Sequence, residues 1–460
     1  MRPETRRSGL GRFPGWFIGF MALAVFTGTG LCAAEPAADS SKPNIVFILS
    51  DDHRWDHLGN MGHPFLKTPH LDRLASEGVH FTNAFVTTSL CSPSRASFLT
   101  GQYANRHGVK NNLTPWNDRQ VTFLEILKQS GYRTAFIGKW HMPGKLPALA
   151  GRAVDRFVTF TTQEGQGQYF DCPLIIDGVK TPRPGKYITT DLTDLAIDFI
   201  RKERNRPFCL YLAHKAVHHQ FLPPPDLRGT YAKATLSHLP KEYYSFQVMA
   251  DGALWEGAFF TLESNYRKYC ECIAGLDREI GRLLQELAAL GLAQKTIVVY
   301  ASDNGYSWGE HRRYGKRWAT EENLRIPFLI RYPAGTVQPG RRSDAMALNI
   351  DLAPTLLDLA GLPVPAKMQG QSLRPILGNQ NQAWRKSFLY EYFKDYPYNV
   401  PEHFGVRTDR HLYVEYEGGR PPALYDIRND PRTKRNLVSS PEGQKVLPEL
   451  KQLLEKHKQE

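Results

Sequence analysis

Four short apolar runs decide what this chain can fold into. Residues 44–49, 134–138, 208–213 and 296–301 are nearly continuous in apolar side chains, and all but 208–213 carry β-branched ones. They lack the alternation of a half-exposed strand, so they read as strands buried on both faces of a parallel or mixed sheet. Each run leads straight into polar, chemically capable residues. The first ends in Ser50, Asp51 and Asp52; the second passes Gly138 into Lys139, Trp140 and His141. The third leads to His214 and then His218, and the fourth to Ser302, Asp303, Asn304 and Gly305. Helices with readable ends lie between them. Pro69 opens one that Gly78 closes, and Thr122 with Glu125 makes a capping box for one that stops at Gly131. Residues 266–290 form a long amphipathic helix closed by Gly291, and Asp351 caps another that ends at Gly361. Strands alternating with helices give an α/β sandwich, and open sheets of that kind bind ligands in the crevice beyond the carboxyl ends of their strands. All four polar clusters fall at that edge.

The chain has 460 residues, 41% of them hydrophobic, enough for one large domain and a smaller one. Residues 378–384 turn polar and loop-like; strand candidates follow at 386–392 and 411–416, then a charged helix from Pro441. The expected division is a catalytic domain over 35–380 and a smaller C-terminal α+β domain with an antiparallel sheet over 381–460. Residues 223–263, opening on Pro223, Pro224 and Pro225, read as an excursion that shapes the mouth of the site. At the N-terminus, Arg2, Arg6, Arg7 and Arg12 precede an apolar run over 16–26 and the small residues up to Ala34. That is the pattern of a signal peptide over 1–34, and it predicts an exported protein, periplasmic or extracellular. The run is shorter than the ~20 residues of a membrane span, and no later segment is long and apolar enough, so no stable membrane span is expected. Beyond the leader remain Cys91, Cys172, Cys209, Cys270 and Cys272, an odd number that leaves at least one thiol without an intramolecular partner. Cys270 and Cys272 point to different faces of their helix and read as core packing. A net charge of +12 favours an acidic partner. No dense basic tract with interleaved aromatics and no zinc-finger spacing is present, so no nucleic-acid partner is expected.

Asp51, Asp52, Asp303 and Asn304 offer four oxygen-bearing side chains at the ends of two strands. Oxygen-only ligation suits a hard cation, Ca²⁺ or Mg²⁺, better than Zn²⁺. A single Asp-Asp pair reads more simply as a helix cap or an Asx turn, but two such pairs after two buried strands favour a metal. Cys91 stands with Pro93 at the first turn of a helix that runs through Arg95 to Thr100 and ends at Gly101. A helix N-terminus presents free N–H groups to an anion or an activated nucleophile. An unmodified thiol, with a reference pKa of ~8.5, is mostly protonated at neutral pH and suits that role badly.

The run Cys91, Ser92, Pro93, Ser94, Arg95, continuing through Ala96, Ser97, Phe98, Leu99, Thr100 and Gly101, resembles the signature of the type I, formylglycine-dependent sulfatases. The resemblance extends through Pro43, Asn44 and Ile45 with Asp51 and Asp52, through Gly138 to His141, through Asp303, Asn304 and Gly305, and through Lys316. It implies an alkaline phosphatase-like sandwich with a large, mainly parallel mixed sheet flanked by helices. It also implies one calcium ion held by Asp51, Asp52, Asp303, Asn304 and the formylglycine (3-oxoalanine) made from Cys91 by a formylglycine-generating enzyme. Arg95 and Lys139 would orient the hydrated aldehyde, and one of its hydroxyls, deprotonated with help from Asp303, would attack sulfur. His218 and Lys316 would bind the sulfate and serve the leaving oxygen. His141 would take a proton from the second hydroxyl, expelling sulfate.

The family commonly sets a proline beside the third strand's histidine, whereas here the order is Ala216, Val217, His218, His219, Gln220. His218 is assigned by register, with His219 and His214 as alternatives. His53 and His57 read as structural or rim residues. Three carboxylates facing one divalent cation with Arg95, Lys139 and Lys316 leave the site net positive, as an anionic ester requires.

The overall resemblance leans to bacterial glycan sulfatases of the N-acetylglucosamine-6-sulfatase type, which implies a sulfated carbohydrate substrate, heparan-like or algal. The segment with Tyr396, Tyr398, Glu402, His403, Arg407 and Arg410 mixes aromatic and charged groups as a sugar pocket does; His403 and Arg407 are its substrate-binding candidates, and a domain interface is the plainer reading. Two other functions compete. One is a phosphate or phosphonate monoester hydrolase of the same superfamily. The other is a catalytically silent glycan-binding protein, favoured if Cys91 stays a thiol.

Overall fold

The computed structural model describes residues 42–144, 149–240, 262–335, 338–380 and 382–460. The signal peptide read over 1–34 and residues 241–261 of the expected excursion lie outside them. The described chain is organised by a ten-stranded sheet. In chain order its strands are β1 (Asn44–Ser50), β2 (Val79–Phe81), β3 (Arg133–Gly138), β4 (Arg156–Thr159), β5 (Leu174–Ile176), β6 (Val179–Thr181), β7 (Phe208–Ala213), β8 (Thr296–Ser302), β9 (Phe328–Arg331) and β10 (Arg341–Ser343). Across the sheet they run β10-β2-β9-β8-β1-β7-β3-β4-β5-β6.

The four strands expected from the apolar runs are its contiguous centre, β8-β1-β7-β3, and all pair in parallel. Antiparallel strands are confined to the flanks, as in β8 with β9 and β4 with β5. Continuous apolarity follows from two-sided burial. Val46 and Ile48 enter a core on one face with helices α1 (Pro69–Ser76), α4 (Ile188–Glu203) and α5 (Leu262–Ala289). Ile45, Phe47 and Leu49 enter the opposite core with α2 (Cys91–Thr100), α3 (Phe123–Gln129) and α6 (Leu352–Leu359).

The closing glycines hold, with three differences in detail: the long helix opens at Leu262 and not at Tyr266, Glu125 pairs with Arg152 instead of returning a bond to Thr122, and Asp351 does not cap its helix. Thr122 Oγ1 accepts from Glu125 N at 3.3 Å, and Gly101 closes α2 with its N–H on Ser97 O. Asp351 precedes α6 as expected, but its carboxylate accepts from Leu348 N and Gln371 N and pairs with Arg385, which ties three segments together instead of capping the helix. The five cysteines of the described residues are free and buried.

A four-stranded antiparallel sheet follows: β11 (Ser387–Tyr392), β12 (His403–Thr408), β13 (His411–Tyr416) and β14 (Ala423–Asp426). Its Phe388, Tyr390 and Tyr392 share a core with Phe85, Leu90 and Trp318, so it abuts the segments that lead into α2 and out of the Lys316 loop. The last helix, α7 (Pro441–Gln459), covers the sheet's other face through Leu450 and Leu454.

Beneath α5 lies a buried polar knot. Tyr266 Oη has His57 Nε2 at 2.9 Å, His63 Nε2 at 3.0 Å and His238 Nε2 at 2.9 Å. Asp56 accepts from His57 Nδ1, which leaves Nε2 of that ring to accept the tyrosine proton. Leu66 N donates to His63 Nδ1, so His63 carries its proton on Nε2 and donates it to Oη. One hydrogen given and two received fill the hydroxyl. His53, close by, bonds Tyr300 Oη at 2.5 Å and the His57 carbonyl at 2.9 Å, and both histidines take the structural role read for them.

Candidate active site

Register puts the site together. Ser50 pairs with Ser302, so Asp51 and Asp303 emerge at the same level from neighbouring parallel strands. Leu49 and Gly138 both pair with Ala213, which brings Lys139 to that edge as well. Gly138 is the residue that permits it: with φ at +120°, a Cβ there would lie 1.8 Å from Ala213 O. Asp52 and His141, with φ of 61° and 56°, turn the chain sharply after their strands, a left-handed geometry uncommon outside glycine and frequent at functional sites.

The side chains converge. Arg95, buried on α2, donates Nε to Asp303 at 2.9 Å, brings Nη2 within 3.2 Å of Asp51 and donates Nη1 to Lys139 O at 2.9 Å. Lys139 Nζ pairs with Asp51, and Lys316 Nζ lies 2.5 Å from Asp52 Oδ1 and 2.7 Å from Cys91 Sγ. Cys91 Sγ also lies 3.8 Å from Lys139 Nζ and 3.8 Å from Asp51 Oδ1. Carboxylate oxygens of Asp51, Asp52 and Asp303 fall within 4.8 Å of one another. Asn304 Nδ2 donates to Asp52 at 2.5 Å, while its Oδ1 is buried without a hydrogen-bond partner among the described residues. Three clustered carboxylates and an idle amide oxygen are a donor set for a hard divalent cation.

The electrostatics follow from burial and charge. Burial alone would raise Asp51, but Lys139, with His218, Arg95 and Lys316, holds it well below the usual carboxylate range. Burial and neighbouring Asp51 push Asp303 up to about 6. Burial pushes the Cys91 thiol up to about 12. Burial, reinforced by Lys139, holds both His141 and His218 well below the ordinary imidazole value. Lys316 is held charged against burial chiefly by Asp52.

Among the three candidate histidines, the fold brings His218 to the cluster: its Nε2 lies 3.9 Å from Asp52 Oδ2, and it falls with Asp51 and Cys91 in one close group. His219 lines the cleft beside it. His214 is sealed in the interior, with neither ring nitrogen bonded among the described residues.

His403 and Arg407 do not reach the cleft. His403 is fully buried, stacked between Trp318 and the rings of Tyr392 and Tyr416, and Arg407 is locked on Glu321 at 3.1 Å. An alternating strand turns half its side chains inward, and these two polar ones are used to join the small sheet to the segment after Lys316 that carries Trp318 and Glu321. The cleft is lined instead by Asn112, Gln166, Arg317 and Tyr398 alongside His218 and Lys316. Arg317 sits over the Tyr398 ring at 3.3 Å and pairs with Asp395 at 2.8 Å; Asp395 also accepts from Asn112 N, and Asn112 Oδ1 accepts from Ser92 N at the start of α2. Tyr398 lies within the mixed aromatic and charged segment that the sequence marks as a sugar-pocket candidate. Gln166 had one signal, its place between Gly165 and Gly167.

Residues 43–362 match the model of the family described as Sulfatase. The chain belongs to the sulfatase family. Residues 309–460 of this sulfatase also match N-sulphoglucosamine sulphohydrolase, C-terminal, so that region carries its own family likeness. It is 32% identical to an N-acetylglucosamine-6-O-sulfatase of Bacteroides thetaiotaomicron, over 92% of this chain and 88% of the relative. It is 31% identical to an ulvan-active sulfatase of Formosa agariphila, over 92% of this chain and 82% of the relative. A solved protein in complex with its substrate D-glucosamine-2-N,6-O-disulfate superposes with a TM-score of 0.83 and 30% identity, covering 91% of this chain and 98% of that one. The fold is thus a sulfatase fold and the activity class is sulfuric ester hydrolysis.

Proposed function

We propose that this sulfatase removes a 6-O-sulfate from a glucosamine-type sugar, using a formylglycine made from Cys91 and a calcium ion held by Asp51, Asp52, Asp303 and Asn304. The observation that carries the reading is the thiol. Cys91 sits at the focus of Lys139, Lys316 and Asp51, yet burial pushes it up to about 12, the reverse of what a thiolate nucleophile needs. A residue whose working form is an aldehyde hydrate fits that surrounding. The oxygen donor set, with the idle Asn304 Oδ1, fits calcium over zinc. When bound, the cation would neutralise the carboxylates and polarise oxygens at the reacting centre.

The remaining work falls to the chain itself. Lys139 and Lys316 bring two cations to position 91 and orient an anionic ester there. Arg95 fixes the carboxylates to one another. Asp303, fixed by Arg95 at the level of Asp51, is assigned to the attacking hydroxyl. His218 with Lys316 is assigned to the leaving oxygen: an arriving sulfate offsets the cationic field that helps to keep His218 neutral. His141 is assigned the proton of the second hydroxyl. The sugar rests on the glucosamine-acting relatives, and export on the N-terminal pattern. Because Cys91 is fully buried, the modifying enzyme must meet it before folding is complete.

The test is sulfate release by converted protein from a panel of defined sugars. Glucosamine or N-acetylglucosamine 6-sulfate is expected to exceed ulvan oligosaccharides and 4-sulfated galactosamine by about 10²-fold or more in kcat/KM. A preference for ulvan would replace the sugar and leave the chemistry. Converted protein that releases sulfate from none of them, nor from an aryl sulfate, would overturn the catalytic assignment.

A further inference from the structure

Gln166 belongs to none of the motifs above, yet its amide joins two of their residues. Its Oε1 accepts from Lys139 Nζ at 2.5 Å and its Nε2 contacts His141 Nε2 at 2.8 Å. Elementary hydrogen-bond chemistry fixes the direction of both bonds. A lysine ammonium has donors only, so the amide oxygen must face it and the amide NH₂ must face His141. The reversed amide would set donor against donor. With an N–H directed at it, His141 Nε2 must offer its lone pair, and the imidazole proton sits on Nδ1. Lys139 is itself anchored on Asp51, so the constraint runs from that carboxylate through Lys139 and Gln166 to the histidine ring.

The loop is shaped to deliver this contact. Residues 161–167 fold back on themselves, with Gly165 N on Thr161 O at 3.2 Å, Gln166 N on Gln163 O at 3.0 Å and Gly167 N on Thr162 O at 2.9 Å. Gly165 has φ of +87°, and a Cβ there would lie 3.4 Å from both the Cα and the ring of His141. The loop backbone therefore lies against the imidazole while the next side chain grips its nitrogen. On the other side, the His141 carbonyl accepts from Ser92 Oγ at 2.5 Å, beside position 91. Gln166 is half-buried and lines the cleft, so a ligand reaches it.

We infer that Gln166 is a positioning residue that holds His141 as the Nδ1–H tautomer with its Nε2 lone pair engaged, and that an acceptor-rich anion entering beside Lys139 draws the amide away and frees that lone pair. The tautomer stands on the geometry alone; only the freeing step rests on His141 as a proton acceptor. The base is thereby held in check until a sulfate ester occupies the cleft.

Histidine side-chain ¹⁵N spectra of the intact, unconverted protein test the tautomer without any assay, with the His141 signal assigned by its loss in His141→Gln. Wild type is expected to show a protonated Nδ1 and a bare Nε2. In Gln166→Glu the carboxylate accepts from both Lys139 and the ring, so the proton moves to Nε2 and the pattern reverses. Titrating wild type with inorganic sulfate is expected to shift the Nε2 signal as the amide leaves. A wild type protonated on Nε2, or an identical pattern in Gln166→Glu, overturns the tautomer assignment; an Nε2 signal unmoved by saturating sulfate overturns the freeing step. In converted protein, Gln166→Ala is expected to lower kcat by about 10- to 100-fold with KM within about threefold of wild type. A raised KM at unchanged kcat, in a variant that melts like wild type, would make Gln166 a substrate-binding residue and overturn the positioning role. Loss of all activity in converted wild type would instead count against the sulfatase assignments and leave the tautomer result intact.

Discussion

Two buried polar clusters lie within a few residues of each other along the chain after β1, and they are opposites. Around Tyr266, the rings of His57, His63 and His238 share their hydrogens so that each bond has one donor and one acceptor. His57, His63 and Cys270 there are near enough to suggest a metal site. The backbone bond to His63 Nδ1 and the hydroxyl at the centre instead give a closed network. Around Cys91, three carboxylates are crowded against three cations, Asn304 Oδ1 is left idle, and a thiol stands where no thiolate is stable. A closed network stabilises a fold. An open one, kept at a cost in desolvation, marks where a ligand completes the set.

Breaking the two clusters should therefore have crossed effects. Lys316→Ala is expected to cost activity by about 10²–10³-fold while leaving a folded protein, because it removes a cation from the reacting centre. His57→Ala should leave activity per folded molecule within about threefold. Steady-state kinetics on protein of known folded fraction checks both. If His57→Ala were the more damaging to kcat, the contrast would be wrong.

Calcium should act on one cluster alone. With free Ca²⁺ at 100 times its Kd, wild type is expected to gain about 2.7 kcal/mol, read as a rise in Tm, and Asp52→Asn should lose most of that gain. Tyr266→Phe should keep it. That last variant is also the test of the closed network. Removing the hydroxyl leaves His57 Nε2 without its donor and His63 without its acceptor, a loss of about 2 kcal/mol in denaturant unfolding.

A fourth prediction concerns protons. Burial holds His53, His107, His214 and His403 at about 3 in the folded protein. Unfolded, each titrates near ~6.5, so the unfolded chain binds more protons at every pH between those values. Stability contributed by these neutral rings is present above pH ~6.5 and is lost as pH falls below it, by up to about 1.4 kcal/mol per pH unit for each ring. Buried Asp277, Glu322 and Glu391, pushed up to about 7, act in the opposite sense over that range, but the neutral rings outnumber them, so melting between pH 7 and 5 should show Tm falling toward acid. A Tm that rises toward pH 5 would contradict the burial assigned to them.

Much of this is legible in the sequence. The central strands are buried on both faces, and that burial forces continuous apolar runs, so β1, β3, β7 and β8 stand out, and with them the residues at their ends. The helix caps at Thr122 and Gly101 are local chemistry and read equally well. The lining of the cleft is different, because it is made by loops from separate parts of the chain: Arg317 meets Asp395 from 78 residues away, and Gln166 reaches His141 across 25. No periodicity records such a meeting. His403 and Arg407 misled for a related reason. A polar residue on a half-buried strand looks available for a ligand until the partner surface, here Trp318 and Glu321, is known.

The central claim is that position 91 works as an aldehyde inside the open cluster. Peptide mass spectrometry of the segment containing Cys91, in preparations spanning a range of specific activity toward an aryl sulfate, tests it most directly. The expected result is a formylglycine peptide whose fraction rises in proportion to activity, with none in an inactive preparation. Full activity in protein whose peptide carries only an unmodified cysteine would contradict it.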